Sequence, residues 1–203
     1  MFTGIIQTIG TITRMQPEGD GISFTVKPAS NDFLASTNVG DSISINGACM
    51  TAVNLTEDEF QFTTIKESLS KTNLGDLKEG NTVNIETAMT MNSKLDGHIV
   101  QGHVDTTGVV EDIKQLENSY EFFISFPSKF RQNIIYVGSI AVNGVSLTIA
   151  EIVSEVADKV TIKIAIIPHT YDVTTFGSLK AGDKVNIEFD MIGKYVQRIM
   201  DNK

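Results

Sequence analysis

Cys49 and Thr51 stand two residues apart, shortly after the pair Asn46-Gly47. Ser146 and Thr148 stand two apart after Asn143-Gly144. Asn-Gly is the strongest short signal for a tight hairpin turn, because both central residues of that turn take positive φ. In the strand that must follow, residues two apart share a face. Each pair therefore sets two small polar groups side by side, with Met50 or Leu147 turned the other way. A sealed core would leave such groups short of partners, at about 1–3 kcal/mol for each one unpaired. Bonding to nearby backbone would satisfy them, and so would a pocket that takes the polar edge of a small molecule. In a pocket, a thiol or hydroxyl can hydrogen-bond a ring or add to it as a nucleophile.

The chain has three histidines, His98, His103 and His169. A histidine ordinarily changes charge near neutral pH, and of the three His103 is the best proton-transfer candidate, a surface or hydrogen-bonded histidine being the other reading. His98 and His103 are five apart, so an unbroken strand would send them to opposite faces. Asp105 is close, but the spacing fits no standard zinc pattern and there is no thiol cluster, so no metal site is read. No G-x-G-x-x-G follows a strand and no G-x-x-x-x-G-K-[ST] occurs, which removes the dinucleotide and P-loop readings. No Ser–His–acid triad can be assigned.

The elements that must position these residues occur twice. Ser42 to Thr51 returns as Ser139 to Thr148, 97 positions later, and Gly75 to Glu86 returns as Gly177 to Glu188, 102 positions later. Gly4 to Gly10 returns as Gly102 to Gly108, at a spacing of 98. Near-constant spacing over three blocks means two copies of one domain, and the period is too long for a solenoid. By this alignment His103 takes the place of Ile5, and His169 that of Glu67. Residues 43–45, 83–85, 140–142 and 160–166 are rich in Val, Ile and Thr and read as strands, punctuated by Asn-Gly, Gly80-Asn81 and Gly182-Asp183. Short strands with regular turns suggest two small β-barrels or sandwiches. Met191, Ile192, Tyr195, Val196, Ile199 and Met200 fall at helical spacing. This C-terminal stripe has no counterpart in copy one, which makes it a candidate subunit contact; docking on its own barrel is the other reading.

The 203 residues suit two domains of about 100 each. No apolar run approaches ~18 residues, so no membrane span is expected, and Met1 to Ile6 does not read as a signal peptide. With a single cysteine, these features point to a reducing cytoplasm. The net charge of −9 without a Lys/Arg cluster is a poor fit to nucleic acid.

Several motifs lie in order along nearly the whole chain. They are Met1-Phe2-Thr3-Gly4-Ile5-Ile6, Asn46-Gly47-Ala48-Cys49-Met50-Thr51, Lys66-Glu67-Ser68-Leu69, Thr72-Asn73-Leu74-Gly75, the run Gly97 to Asp105, Asn143 to Thr148, Ile167-Pro168-His169-Thr170 and Asp190 to Val196. Together they resemble the riboflavin synthase family. The resemblance implies an all-β fold of two homologous six-stranded Greek-key β-barrels plus a C-terminal α-helix. Residues 1–97 would be an N-terminal lumazine-binding barrel, 98–189 a C-terminal one, and 190–203 an oligomerisation helix. It implies a transferase that dismutates two molecules of 6,7-dimethyl-8-ribityllumazine by four-carbon transfer, giving riboflavin and 5-amino-6-(ribitylamino)uracil, the last step of riboflavin biosynthesis. It further implies a homotrimer, a site between the N-terminal barrel of one subunit and the C-terminal barrel of the next, and no cofactor. It also suggests lumazine synthase as an associating partner.

By the same resemblance the N-terminal pocket would use Gly4, Ile5, Ile6, Cys49, Met50, Thr51, Thr63, Thr64, Ile65, Lys66, Glu67 and Ser68. The C-terminal pocket would use Gly102, His103, Val104, Ser146, Leu147, Thr148, Ala165, Ile166, Ile167, Pro168, His169 and Thr170. His103, Cys49, Ser146 and Ser42 are the candidates for catalysis, with Phe2 in support. Some family members carry aspartate where this chain has Asn143, and lysine where it has Val137. The rival reading is a non-catalytic lumazine- or flavin-binding antenna protein of the same fold. Such proteins degrade the second pocket, whereas Gly102 to Asp105 and Ser146 to Thr148 are intact here.

Overall fold

Apolar and polar residues alternate through Phe60-Gln61-Phe62-Thr63, with both phenylalanines fully buried, as a half-buried strand requires. The computed structural model describes residues 1–30, 32–156 and 158–201, and such strands dominate it. In copy one they are β1 (Thr8–Glu18), β2 (Gly21–Pro28), β3 (Ser42–Ile45), β4 (Ala48–Leu55), β5 (Phe60–Thr64) and β6 (Thr82–Thr87). In copy two they are β7 (Thr106–Gln115), β8 (Tyr120–Pro127), β9 (Ser139–Val142), β10 (Val145–Val156), β11 (Lys159–Ile166) and β12 (Lys184–Phe189). Each set closes into an antiparallel barrel with neighbours in the order β1-β2-β5-β4-β3-β6, and its equivalent in copy two. Closure removes free sheet edges. The expected turns form: Asn46 and Asn143 both take φ 46°, followed by glycines at 83° and 78°.

Among the described residues, four short helices decorate the barrels: α1 (Asp32–Ala35), α2 (Lys66–Lys71), α3 (Pro168–Val173) and α4 (Met191–Met200). A 3-10 turn follows α2 and α3, and in both copies a threonine hydroxyl caps it, Thr72 accepting from Leu74 N–H and Thr174 from Phe176 N–H. Each barrel has its own core. Phe24 stacks on Phe62 at 5.0 Å in the first, and Phe122 meets Phe176 edge-on at 5.0 Å in the second. Burying each such ring contributes about 1.5–3 kcal/mol.

The barrels meet through reciprocal contacts. Phe2 N–H donates to the Val100 carbonyl at 2.7 Å, and Val100 N–H returns to Phe2 at 3.1 Å. Beyond this pair lies a lattice of asparagines. Asn84 in β6 donates from Nδ2 to the Asn143 carbonyl (2.9 Å), and Asn186 in β12 donates to the Asn46 carbonyl (2.8 Å). Their Oδ1 atoms accept Thr175 N–H (2.7 Å) and Asn73 N–H (2.6 Å). Asn143 Oδ1 accepts both Asn186 N–H and Asn73 Nδ2. Asn143 is therefore a seam residue whose side-chain oxygen, an acceptor that aspartate also carries, makes both bonds. Val137 also takes positive φ, 60°, a strained conformation for a β-branched residue.

Helix α4 turns its apolar stripe outward. Ile192, Tyr195 and Ile199 are 67%, 63% and 61% exposed, while Lys194 faces the barrel and pairs with Asp105 at 2.6 Å. Residues 202 and 203, at the end of the expected helical segment, lie outside the described residues. Among the described residues no helix is long and apolar enough to cross a membrane.

The asparagine lattice makes a stability prediction. Asn84 is 0% exposed, and Asn84→Ala strands the Thr175 amide and the Asn143 carbonyl. Chemical denaturation should show a loss of about 2–4 kcal/mol, against no measurable loss for Asn118→Ala in an exposed turn.

Candidate active site

Strand β4 starts at the Asn46-Gly47 hairpin and places its residues alternately. Met50 is 8% exposed and packs on the barrel core, Cys49 is half-buried and Thr51 is exposed. In β10, Leu147 packs inward, Ser146 is half-buried and Thr148 is exposed. The polar pairs thus face outward, as their spacing predicts.

The strand ladder leaves the Cys49 and Ser146 amides free for a partner, and that partner comes from the other copy. Cys49 N–H donates to the Gly102 carbonyl at 2.8 Å, and Ser146 N–H donates to the Gly4 carbonyl at 2.8 Å. Gly102 and Gly4 take φ 82° and 75°. A Cβ on Gly102 would stand 2.6 Å from Cys49 Cβ, and one on Gly4 would stand 2.6 Å from Ser146 Cβ. Only glycine fits so close an approach. The segments 2–4 and 100–103 are therefore straps that cross between barrels. Val104 packs on the first core and Ile6 on the second, continuing the exchange.

This crossing corrects the grouping expected from sequence, which kept Gly4, Ile5 and Ile6 with Cys49, and Gly102, His103 and Val104 with Ser146. Gly102, His103 and Val104 instead line a 290 Å³ pocket with Cys49, Met50, Ile65, Glu67 and Ser68. Lys71 and Thr72 also line it; sequence reasoning missed both, although Lys71 lies four residues after Glu67, at ion-pair spacing on a helix. The pair forms at 2.6 Å on the surface of α2. Thr51, Thr63, Thr64 and Lys66 are not among the lining residues. Thr63 bonds Glu18, and the Thr64 hydroxyl is tied to the Ile22 backbone. Phe2, fully buried, lies beneath Gly102 in a small cluster with Val100 and Ala141. Ser42 is half-buried, and its carbonyl accepts Ala88 N–H at 3.1 Å.

On the other side Gly4 lies against Ser146, with Ile5 46% exposed. Ala165, Ile167, Pro168 and His169 are exposed around the start of α3, Thr170 is half-buried, and Ile166 belongs to the core. Ser146 has a neighbour that Cys49 lacks: its hydroxyl is hydrogen-bonded to His98 Nδ1 at 2.7 Å. With the imidazole accepting, that bond polarises the hydroxyl. His98 precedes Gly102, where the repeated block of copy two begins, so comparing the copies could not single it out. The signal available was its place at the entry to the second strap.

Burial lowers the His98 pKa, with Asp190 opposing. Burial also raises the carboxyls of Glu86 and Glu188, against the hydrogen bonds they accept from the straps. A separate polar groove of 550 Å³ lies between the barrels, lined by Asn46, Asn73, Asn143 and Thr175 among others. It contains none of the residues proposed for the site. Among the described residues no cluster of His, Cys, Asp and Glu could hold a metal ion.

Comparison with known proteins agrees with this architecture. The family profile described as "Lumazine binding domain" matches twice, over residues 3–88 and 101–190. The chain is 38% identical over 200 residues to riboflavin synthase of Bacillus subtilis, covering 98% of this chain and 90% of that protein. It is 36% identical over 203 residues to riboflavin synthase of Actinobacillus pleuropneumoniae, covering 100% and 91%. A crystal structure of LumP complexed with 6,7-dimethyl-8-(1'-D-ribityl) lumazine superposes with a TM-score of 0.81 at 27% identity, covering 94% of this chain and 99% of that one.

The His98 environment sets a pH dependence. Its folded pKa lies below the ordinary value of 6.5, so below that value the unfolded chain binds the extra proton first. The stability held by neutral His98 is present above pH 6.5 and is lost as pH falls toward the folded pKa. Denaturation between pH 7.5 and 5.5, about one unit either side of the ordinary histidine value, should show a shallower fall for His98→Asn than for the parent chain.

Proposed function

Because this chain belongs to the riboflavin synthase family, built on duplicated lumazine binding domains, we propose that it joins two molecules of 6,7-dimethyl-8-ribityllumazine. One gives a four-carbon unit to the other, leaving riboflavin and 5-amino-6-(ribitylamino)uracil. The observation that carries this reading is the pair of related but unequal polar sites at Cys49 and Ser146, each completed by the other copy's strap. A reaction between two identical molecules needs two similar seats and two different roles.

The chemistry requires loss of a proton from the 7-methyl group of one lumazine, whose ring spreads the charge. Carbon–carbon bond formation and fragmentation then follow. His103 beside the Cys49 pocket is the proton acceptor in this reading. Ser146, polarised by His98, adds to or hydrogen-bonds the ring on the other side. Glu67 and Ser68 hold the polar edge of the ligand in the first pocket, and the repeat-related His169 and Thr170 do so in the second. Holding two rings in register replaces an encounter by positioning, worth up to about 7–11 kcal/mol in favourable cases. No bound cofactor takes part.

The protein works as a homotrimer, with each site formed between the first barrel of one subunit and the second barrel of the next. The outward apolar stripe of α4 supports this, since an amphipathic helix ordinarily turns that face to a partner. Residues 190–203 are then the assembly segment. The cytoplasm is the proposed compartment, in keeping with the single cysteine left as a thiol. Association with lumazine synthase, suggested by the family resemblance, is tested by co-sedimentation.

Purified protein mixed with the lumazine and a chelator should form riboflavin and the pyrimidine in equal amounts. Tight lumazine binding without riboflavin would instead select the antenna reading, and LumP, of similar fold, has been crystallised in complex with the lumazine, with riboflavin and with flavin mononucleotide. Ser146→Ala should lower kcat more than Cys49→Ala, by about tenfold or more, since it also removes the His98 bond. Equal effects would mean that the His98 contact does no chemistry.

Deleting residues 191–203 tests the assembly. The truncated protein should sediment as a smaller species, with activity that rises faster than linearly with concentration. A monomer with full specific activity at every concentration would show that one chain holds a complete site.

A further inference from the structure

Two buried carboxylates occupy matching places in the copies. Glu86 in β6 and Glu188 in β12 are 2% and 3% exposed. Glu188 Oε1 accepts Gln101 N–H at 2.6 Å, while Oε2 accepts Gly102 N–H at 2.9 Å and His103 N–H at 2.8 Å. Glu86 Oε1 accepts the Thr3 N–H and hydroxyl, both at 2.7 Å, and Oε2 accepts Gly4 N–H at 3.1 Å. Each carboxylate therefore gathers the amides of the strap that leaves its own barrel to complete the opposite one.

We propose that Glu188 and Glu86 are positioning residues acting across the seam: Glu188, in the second barrel, sets the Cys49 pocket of the first, and Glu86, in the first, sets the Ser146 site of the second. This rests on reading those sites as the ligand pockets. Three successive amides converging on one carboxylate fix the backbone direction through Gly102, whose φ of 82° aims its carbonyl at the Cys49 amide. The same contact holds the His103 backbone at the pocket wall. Lys194 reinforces the second cradle by pairing with Asp105, which in turn accepts Phe189 N–H beside Glu188. Gln7 stands at the matching place in copy one and accepts Thr87 N–H instead. Glutamine at 188 would keep the shape but replace one acceptor oxygen by a donor, so at least one strap amide would face an NH2 group.

Cys49 is the chain's one cysteine and reports on the first pocket alone. Bound riboflavin should slow its alkylation by iodoacetamide. Glu188→Gln should raise the riboflavin concentration needed for half-protection by about tenfold or more, and Glu86→Gln should leave it within about twofold, although Glu86 shares a barrel with Cys49. Both variants should lower kcat/KM. If Glu188→Gln does not fold, as judged by circular dichroism, Glu188→Asp carries the same comparison, since it keeps the charge but shortens the reach. Equal shifts for the Glu86 and Glu188 variants, or protection unchanged in a Glu188 variant, would overturn the proposal. Riboflavin that fails to protect Cys49 in the parent chain would overturn the pocket assignment itself, and the positioning role with it.

Discussion

Two backbone hydrogen bonds across the seam, from Cys49 N–H to the Gly102 carbonyl and from Ser146 N–H to the Gly4 carbonyl, govern how this molecule can bind anything. They require glycine at both acceptors, because any side chain would collide with the strand it meets. They require the two straps to lie side by side, which the Phe2–Val100 bridge secures. They also require a fixed relation between the barrels, supplied by Asn84, Asn186 and the turns they bond. Buried amide side chains are costly when unpaired, so the lattice tolerates little sliding. An isolated barrel with only its own strap would lack the wall that the other copy supplies.

The duplication makes two sites, and the residues that differ make them unequal. His103 beside Cys49 corresponds to Ile5 beside Ser146. Glu67 and Lys71 correspond to His169 and Val173. His98 bonds Ser146, and among the described residues no histidine bonds the Cys49 side chain. One half thus combines an exposed histidine with a thiol and an ion pair, and the other has a histidine-bound hydroxyl. Unequal seats suit a reaction in which one of two identical molecules loses a fragment and the other gains it.

The sequence made the strands, the hairpin turns and the duplication plain, because alternation and Asn-Gly pairs are local signals and the repeat is a direct comparison. It did not show which copy a strap touches. Equivalence of Gly4 with Gly102 says that they occupy matching places, not whether each serves its own barrel or the other. The seam left no signal of its own: Asn84 alternates with Val83 and Ile85, and Asn186 with Val185 and Ile187, as the outward residues of a half-buried strand do, and only the structure shows both asparagines buried. His98 was visible as one of three histidines, but its partner was not, because the bond to Ser146 spans 48 residues and lies outside the repeated blocks. The stripe of α4 was readable, but only the structure shows that Lys194, not the stripe, faces the barrel.

A crystal structure with riboflavin bound tests the account most directly. The account predicts one ring against Cys49 and Met50, walled by Gly102 and His103 of the same chain, and a second against Ser146, walled by Gly4 and Ile5. Rings seated in the polar groove between Asn73 and Thr175, with both of these sites empty, would contradict it.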